Sequence, residues 1–72
     1  MKHRHDTKRI KVNGQWLDVS AATLADLLAE LDYADKVVAT ARNQQFIRAN
    51  ARGETPIIAA DQIEILVPMQ GG

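Results

Sequence analysis

Asn13-Gly14, set between the alternating runs RIKV and QWLDV, leaves the start of this chain little choice of structure. Two-residue hairpin loops of type I′ need positive φ at both central positions, which Asn and Gly tolerate best, so the pair predicts a tight β-turn. A loop of that length also fixes register: Val12 faces Gln15, Lys11 faces Trp16 and Ile10 faces Leu17. Because side chains alternate across a strand, Ile10, Val12, Leu17 and Val19 are expected to share the buried face, with Trp16 pointing outward beside Lys11.

A lone hairpin is marginal in water, and the next segment supplies a cover for its apolar face. In TLADLLAELD, the residues Leu24, Leu27, Leu28 and Leu31 recur at i, i+3, i+4 and i+7, one stripe of an amphipathic helix. Thr23 reads as its N-cap, and Asp26 stands at capping-box spacing where a negative charge also suits the helix dipole. KVVATARNQQFIR predicts a strand from Val37 to Arg42, a polar turn at Asn43-Gln44 and a short return through Phe46 and Ile47. ANARGETP is turn-rich. Ile57, Ile58 and a turn around Asp61 then lead into QIEILV, with Ile63, Ile65 and Val67 expected on one face and Glu64 and Leu66 on the other. Pro68 has no N–H to give a sheet, which is therefore expected to end there.

These pieces read as an α+β fold, a mixed sheet of four to five strands with one main helix packed across it. The first and last strands alternate without a hairpin joining them, so a parallel pairing at the centre of the sheet is expected. The expected organisation is a basic, disordered leader over 1–8, a folded domain over 9–68 and a flexible tail over 69–72.

Composition narrows what such a domain can do. With 72 residues there is room for one core, and 46% hydrophobic residues against 4% aromatic ones make that core aliphatic. Ligand pockets run to about 300–1,000 Å³, more than a core this size readily encloses, so no bound cofactor is expected. The absence of cysteine removes disulfides, thiolate metal sites and a Cys nucleophile together. No apolar stretch resembles a signal peptide or a membrane span, and the cytoplasm is the expected compartment. Lys2, Arg4, Lys8, Arg9 and Lys11 gather in the leader and first strand, whereas the rest of the chain is acidic, which argues against a nucleic-acid partner. His3 and His5 flank Arg4, and a histidine third from a free amine can offer nitrogens to Cu(II) or Ni(II), yet no carboxylate or Cys completes a closed site and no metal role is expected. The carboxylates are expected on outer faces, and no Ser-His or paired-carboxylate grouping can be assembled, so the chain is not expected to be an enzyme.

That leaves the end of the chain, PMQGG. Four extended residues beyond Pro68 reach about 13–14 Å, enough to enter another protein's active site. Glycine suits that use, because without a Cβ it passes a narrow channel and leaves the terminal carbonyl unshielded.

Taken together, KVNGQ, TLADLLAEL, ARNQQFI, DQIEILVP and the terminal MQGG resemble the ThiS-type sulfur carriers, small ubiquitin-like proteins of the β-grasp fold, over residues 9–72. The resemblance implies a protein co-substrate acted on by others rather than a catalyst. The Gly72 carboxylate, presented with Gly71, would become an acyl-adenylate in a ThiF-like adenylating enzyme that uses ATP and Mg²⁺. It would then receive sulfur from a sulfur-donor enzyme and pass it, as a thiocarboxylate, to a ThiG-like thiazole synthase in thiamine biosynthesis. Two alternatives stay open: a carrier of the same fold serving molybdopterin or another sulfur-containing product, and a non-catalytic β-grasp interaction module binding through the face that includes Trp16. Two departures from the family pattern stand out. Phe46-Ile47-Arg48-Ala49 occupies the place of a Val-Pro-Arg-like stretch, and Ala60 replaces the Gly that commonly precedes the Asp before the last strand.

Overall fold

The computed structural model describes residues 7–68. The elements run β1 (Lys8–Val12), β2 (Gln15–Val19), α1 (Leu24–Glu30), β3 (Ala39–Arg42), β4 (Gln45–Ile47), a 3-10 helix (Ala49–Glu54) and β5 (Gln62–Leu66). One five-stranded sheet has the order β2-β1-β5-β3-β4. The β1–β5 pair is parallel, with Val12 beside Ile63, and the other pairs are antiparallel. This is the mixed sheet with one main helix of the β-grasp fold.

The first hairpin has the register that its two-residue loop dictates: Ile10 opposite Leu17, Lys11 opposite Trp16, Val12 opposite Gln15. Asn13 and Gly14 have φ of 52° and 84°, the positive values a type I′ turn requires. Ile10, Val12 and Val19 are buried, and Leu17 packs against the core from its edge. Lys11 Nζ lies 5.6 Å from the centroid of the outward Trp16 ring.

Thr23 caps α1, its Oγ1 accepting from the Asp26 N–H at 3.1 Å. A helix of seven residues is too short to stand alone, and Leu24, Leu27 and Leu28 hold it by burial against the sheet. It stops without a glycine. Asp32 takes φ 69°, and the N–H groups of Asp32 and Tyr33 turn back to the carbonyls of Ala29 and Leu28, the Schellman pattern of a left-handed C-terminal cap.

Several expectations need correction. Lys8, placed at the end of the leader, is the first residue of β1, and its Nζ donates to the Ala21 and Ile57 carbonyls at 2.8 and 3.2 Å. The strand expected from Val37 begins at Ala39, and Val37 is 79% exposed. The turn-rich ANARGETP is mostly a 3-10 helix, held onto β3 by Arg52, which donates to Thr40 Oγ1 and the Val38 carbonyl at 3.1 and 2.7 Å. Val67 does not join Ile63 and Ile65 inside: β5 ends at Leu66, and Val67 beyond it is 55% exposed. Asp61, expected on an outer face, is buried.

Candidate functional site

The residues that sequence analysis singles out for chemistry, Gly71 and Gly72, lie outside the described residues, as do His3 and His5. The structure does describe where the tail starts. The last strand before it, β5, is the middle strand of five, paired on one side with β1 and on the other with β3. The chain beyond Leu66 therefore follows a strand bonded on both sides, and a pull on it is resisted by two ladders.

Two turn asparagines strengthen that anchorage. Asn13 places its own N–H 2.9 Å from the Ile63 carbonyl, and its side-chain amide then acts like one more strand residue: Oδ1 accepts from the Ile65 N–H at 2.8 Å and Nδ2 donates to the Ile65 carbonyl at 3.1 Å. Asn43 does the equivalent at the start of β5. Its N–H donates to the Gln62 carbonyl at 2.7 Å, and its Oδ1 accepts from the Gln62 N–H at 2.9 Å. Both have φ 52°, so the left-handed turn conformation is what turns each amide towards the same strand. In the sequence both asparagines read as turn formers, and their bonds to β5 are not legible there because the Asn13–Ile65 pair is 52 residues apart.

A polar knot sits where the chain enters β5. The Asp61 carboxylate accepts from Arg42 Nε at 2.8 Å, from the Ile58 N–H at 2.8 Å and from Asn43 Nδ2 at 3.1 Å. Burial alone would raise its pKa, but the Arg42 hydrogen bond, the Ile58 N–H, the Asn43 amide and the Arg42 charge together outweigh it and hold the carboxyl below its ordinary value of 3.8. Every Asp61 interaction is spent on the fold, which makes it a poor candidate for acid–base work.

Among the described residues, no group of three His, Cys, Asp or Glu side chains could hold a metal ion, and no helix is long and apolar enough to cross a membrane. A hollow of about 70 Å³ lies on the open sheet face, lined by Ala39, Thr40, Ala41, Phe46, Glu64 and Leu66. That volume is far below what a nucleotide needs.

The ThiS family model matches residues 6–72, nearly the whole chain and including the last glycine. The chain belongs to the ThiS family. It is a ThiS-type sulfur carrier with a ubiquitin-like β-grasp fold. The crystal structure of the thiamine biosynthesis protein ThiS from Geobacter metallireducens superposes with a TM-score of 0.75 at 28% identity, over 89% of this chain and 99% of that one. Among curated proteins the sequence has no significant match. Ala60, just before Asp61, has φ 72°, a conformation that glycine adopts more readily than a residue with a Cβ.

Proposed function

We propose that this ThiS-family chain carries sulfur for thiamine biosynthesis on its C-terminal Gly72, first as an acyl-adenylate and then as a thiocarboxylate. The observation that carries the reading is a family match continuing to Gly72 in a body whose last strand is the middle of the sheet. The name of the Geobacter metallireducens relative, a thiamine biosynthesis protein, favours thiamine over molybdopterin as the destination.

A carboxylate is a poor electrophile, so the first step makes it one. A Gly72 carboxylate oxygen attacks the α-phosphorus of ATP in an adenylating partner, the bond to pyrophosphate breaks, and a mixed anhydride with AMP remains. A sulfur nucleophile from a donor protein then attacks the Gly72 carbonyl and expels AMP. With a persulfide as that nucleophile the product is an acyl disulfide; a thiol then attacks the donor's sulfur, the S–S bond breaks, the donor is left as a disulfide, and the thiocarboxylate is released for a thiazole-forming enzyme to consume. Mg²⁺ and the donors that stabilise the oxyanion belong to the partner. This chain contributes reach and access: residues 69–72 span up to about 13–14 Å, and Gly71 and Gly72 present a carbonyl with no side chain beside it.

Intact-mass measurement of protein taken from cells with a functioning sulfur pathway tests the reading, since exchange of one terminal oxygen for sulfur is visible directly. Deleting Gly72 should abolish that exchange and change stability by no more than about 0.5 kcal/mol, as for other positions away from the core. Sulfur transfer that persists in the deletion variant would refute it, and charging only by a molybdopterin-pathway enzyme would move the carrier to that pathway.

A further inference from the structure

Asn13-Gly14 has a chemistry that neither the turn nor the carrier function uses. An asparagine followed by glycine readily loses its side-chain amide, because no Cβ on the second residue keeps its backbone nitrogen away from the asparagine Cγ. Both residues are exposed, and a Cβ placed on Gly14 would meet nothing within 4 Å, so water reaches the pair freely. The chain's other asparagines lack this feature. Asn43 precedes Gln44, and Asn50 precedes Ala51, whose N–H is spent on the Arg48 carbonyl at 3.0 Å.

The fold holds the reaction back at one point. Attack requires the Asn13 amide carbon to swing onto the Gly14 nitrogen, yet Oδ1 and Nδ2 are both held by Ile65, at 2.8 and 3.1 Å, and the Asn13 N–H is held by the Ile63 carbonyl at 2.9 Å. Exposure and restraint thus act on the same side chain, and release of its two bonds to Ile65 decides between them. Such a release is local and needs less free energy than unfolding the core.

We propose that Asn13 is a site of spontaneous deamidation gated by the opening of the Asn13–Ile65 clasp, and that the product loosens β5, the strand that leads to the tail. In the open state the Gly14 nitrogen loses its proton and bonds to Asn13 Cγ, the Cγ–Nδ2 bond breaks, and ammonia departs to leave a cyclic imide. Water then adds to either imide carbonyl. Breaking the new Cγ–N bond gives aspartate, and breaking the original bond to the Asn13 carbonyl carbon gives isoaspartate; no oxidant or enzyme is needed. In aspartate a carboxylate oxygen replaces the Nδ2 donor and faces the Ile65 carbonyl, acceptor against acceptor. In isoaspartate the main chain also runs through Cβ, which lengthens a loop whose length sets the register of Val12 with Gln15. Either product weakens the end of β5 and does not revert to asparagine, so each molecule records how long its clasp has stood open. None of this depends on what Gly72 carries.

Incubation of the full chain at mildly alkaline pH, with samples mapped by tryptic digestion and mass spectrometry, tests the site. The peptide 12–36 contains Asn13 and no other asparagine. In chain unfolded by guanidinium chloride, Asn13 should be converted before Asn43 and Asn50. In the folded chain its conversion should be slowed by the same factor, within about threefold, as amide exchange at Ile65, since one opening frees both groups. Guanidinium below the unfolding transition should speed the two together. Asn13→Asp, which encodes one of the products, should speed exchange at Ile65 roughly tenfold, the size of one lost hydrogen bond. Conversion of folded Asn13 at the unfolded chain's rate while Ile65 stays protected would overturn the gate. Asparagine that survives at position 13 while Ile65 exchanges freely would overturn the site itself. Exchange at Ile65 that is unchanged in Asn13→Asp would overturn the loosening of β5.

Discussion

Ala60 and Gln44 both hold φ at 72°, a left-handed conformation that costs a residue with a Cβ about 1–2 kcal/mol. Replacing Ala60 with Gly removes that strain and gives back part of the gain as backbone entropy, so Ala60→Gly should stabilise the fold by about 0.5–1 kcal/mol, seen as a higher urea midpoint with unchanged slope. Asp61 works in the opposite direction. Its folded-state pKa is depressed, so the stability it contributes is fully present above the ordinary value of 3.8 and is lost as pH falls through the lower folded value. Asp61→Ala leaves the Ile58 N–H without its acceptor and Arg42 without its counter-charge, and should cost about 2–3 kcal/mol at neutral pH. Denaturant titrations of the two proteins should converge as pH drops below about 4. A gap that stayed constant down to pH 2 would mean that the carboxylate's charge is not what Asp61 supplies.

Elements in this chain are short, and each depends on a side chain borrowed from a neighbour. The seven-residue α1 has its first turn bonded by Thr23, and Thr23→Ala should cost about 1 kcal/mol in thermal or chemical unfolding. The segment after the 3-10 helix closes the same end, since the Leu24 N–H donates to the Thr55 carbonyl and the Ile57 N–H to that of Ala22. In β5 the borrowed groups are the amides of Asn13 and Asn43. Asn13→Gly keeps the turn's positive φ while removing both side-chain bonds to Ile65, and should cost about 1–2 kcal/mol. Its more telling effect is local: amide exchange at Ile65 should speed up more than exchange in β2, because the loss falls on the strand that carries the tail. Equal acceleration in both strands would show that Asn13 serves only the hairpin.

At the scale of the whole molecule, the proposed carrier function makes the folded body and Gly72 separate devices, and they should respond separately to mutation. Core changes should then lower stability without touching the chemistry of Gly72, and changes at Gly72 should do the reverse. The body also bears most of the acid groups, so association with a basic enzyme surface should slow as salt rises, a dependence that stopped-flow mixing measures. Much of this plan follows from local rules that act within a few residues. The Asn13-Gly14 loop sets the β1–β2 register, leucine spacing sets the buried side of α1, and alternation places Ile63 and Ile65 inside, all because a turn type or a period of 2 or 3.6 is a property of neighbouring residues. The terminal Gly71-Gly72 is likewise legible as a motif. Long-range contact decided the rest. Asp61 looked like any surface carboxylate until Arg42 and Asn43 met it from another strand, and ANARGETP became a 3-10 helix once Arg52 could reach β3. In the sequence Phe46 reads only as part of a short returning strand, and the closed sheet brings it beside Leu66, because neighbours across a sheet are chosen by topology and not by distance along the chain.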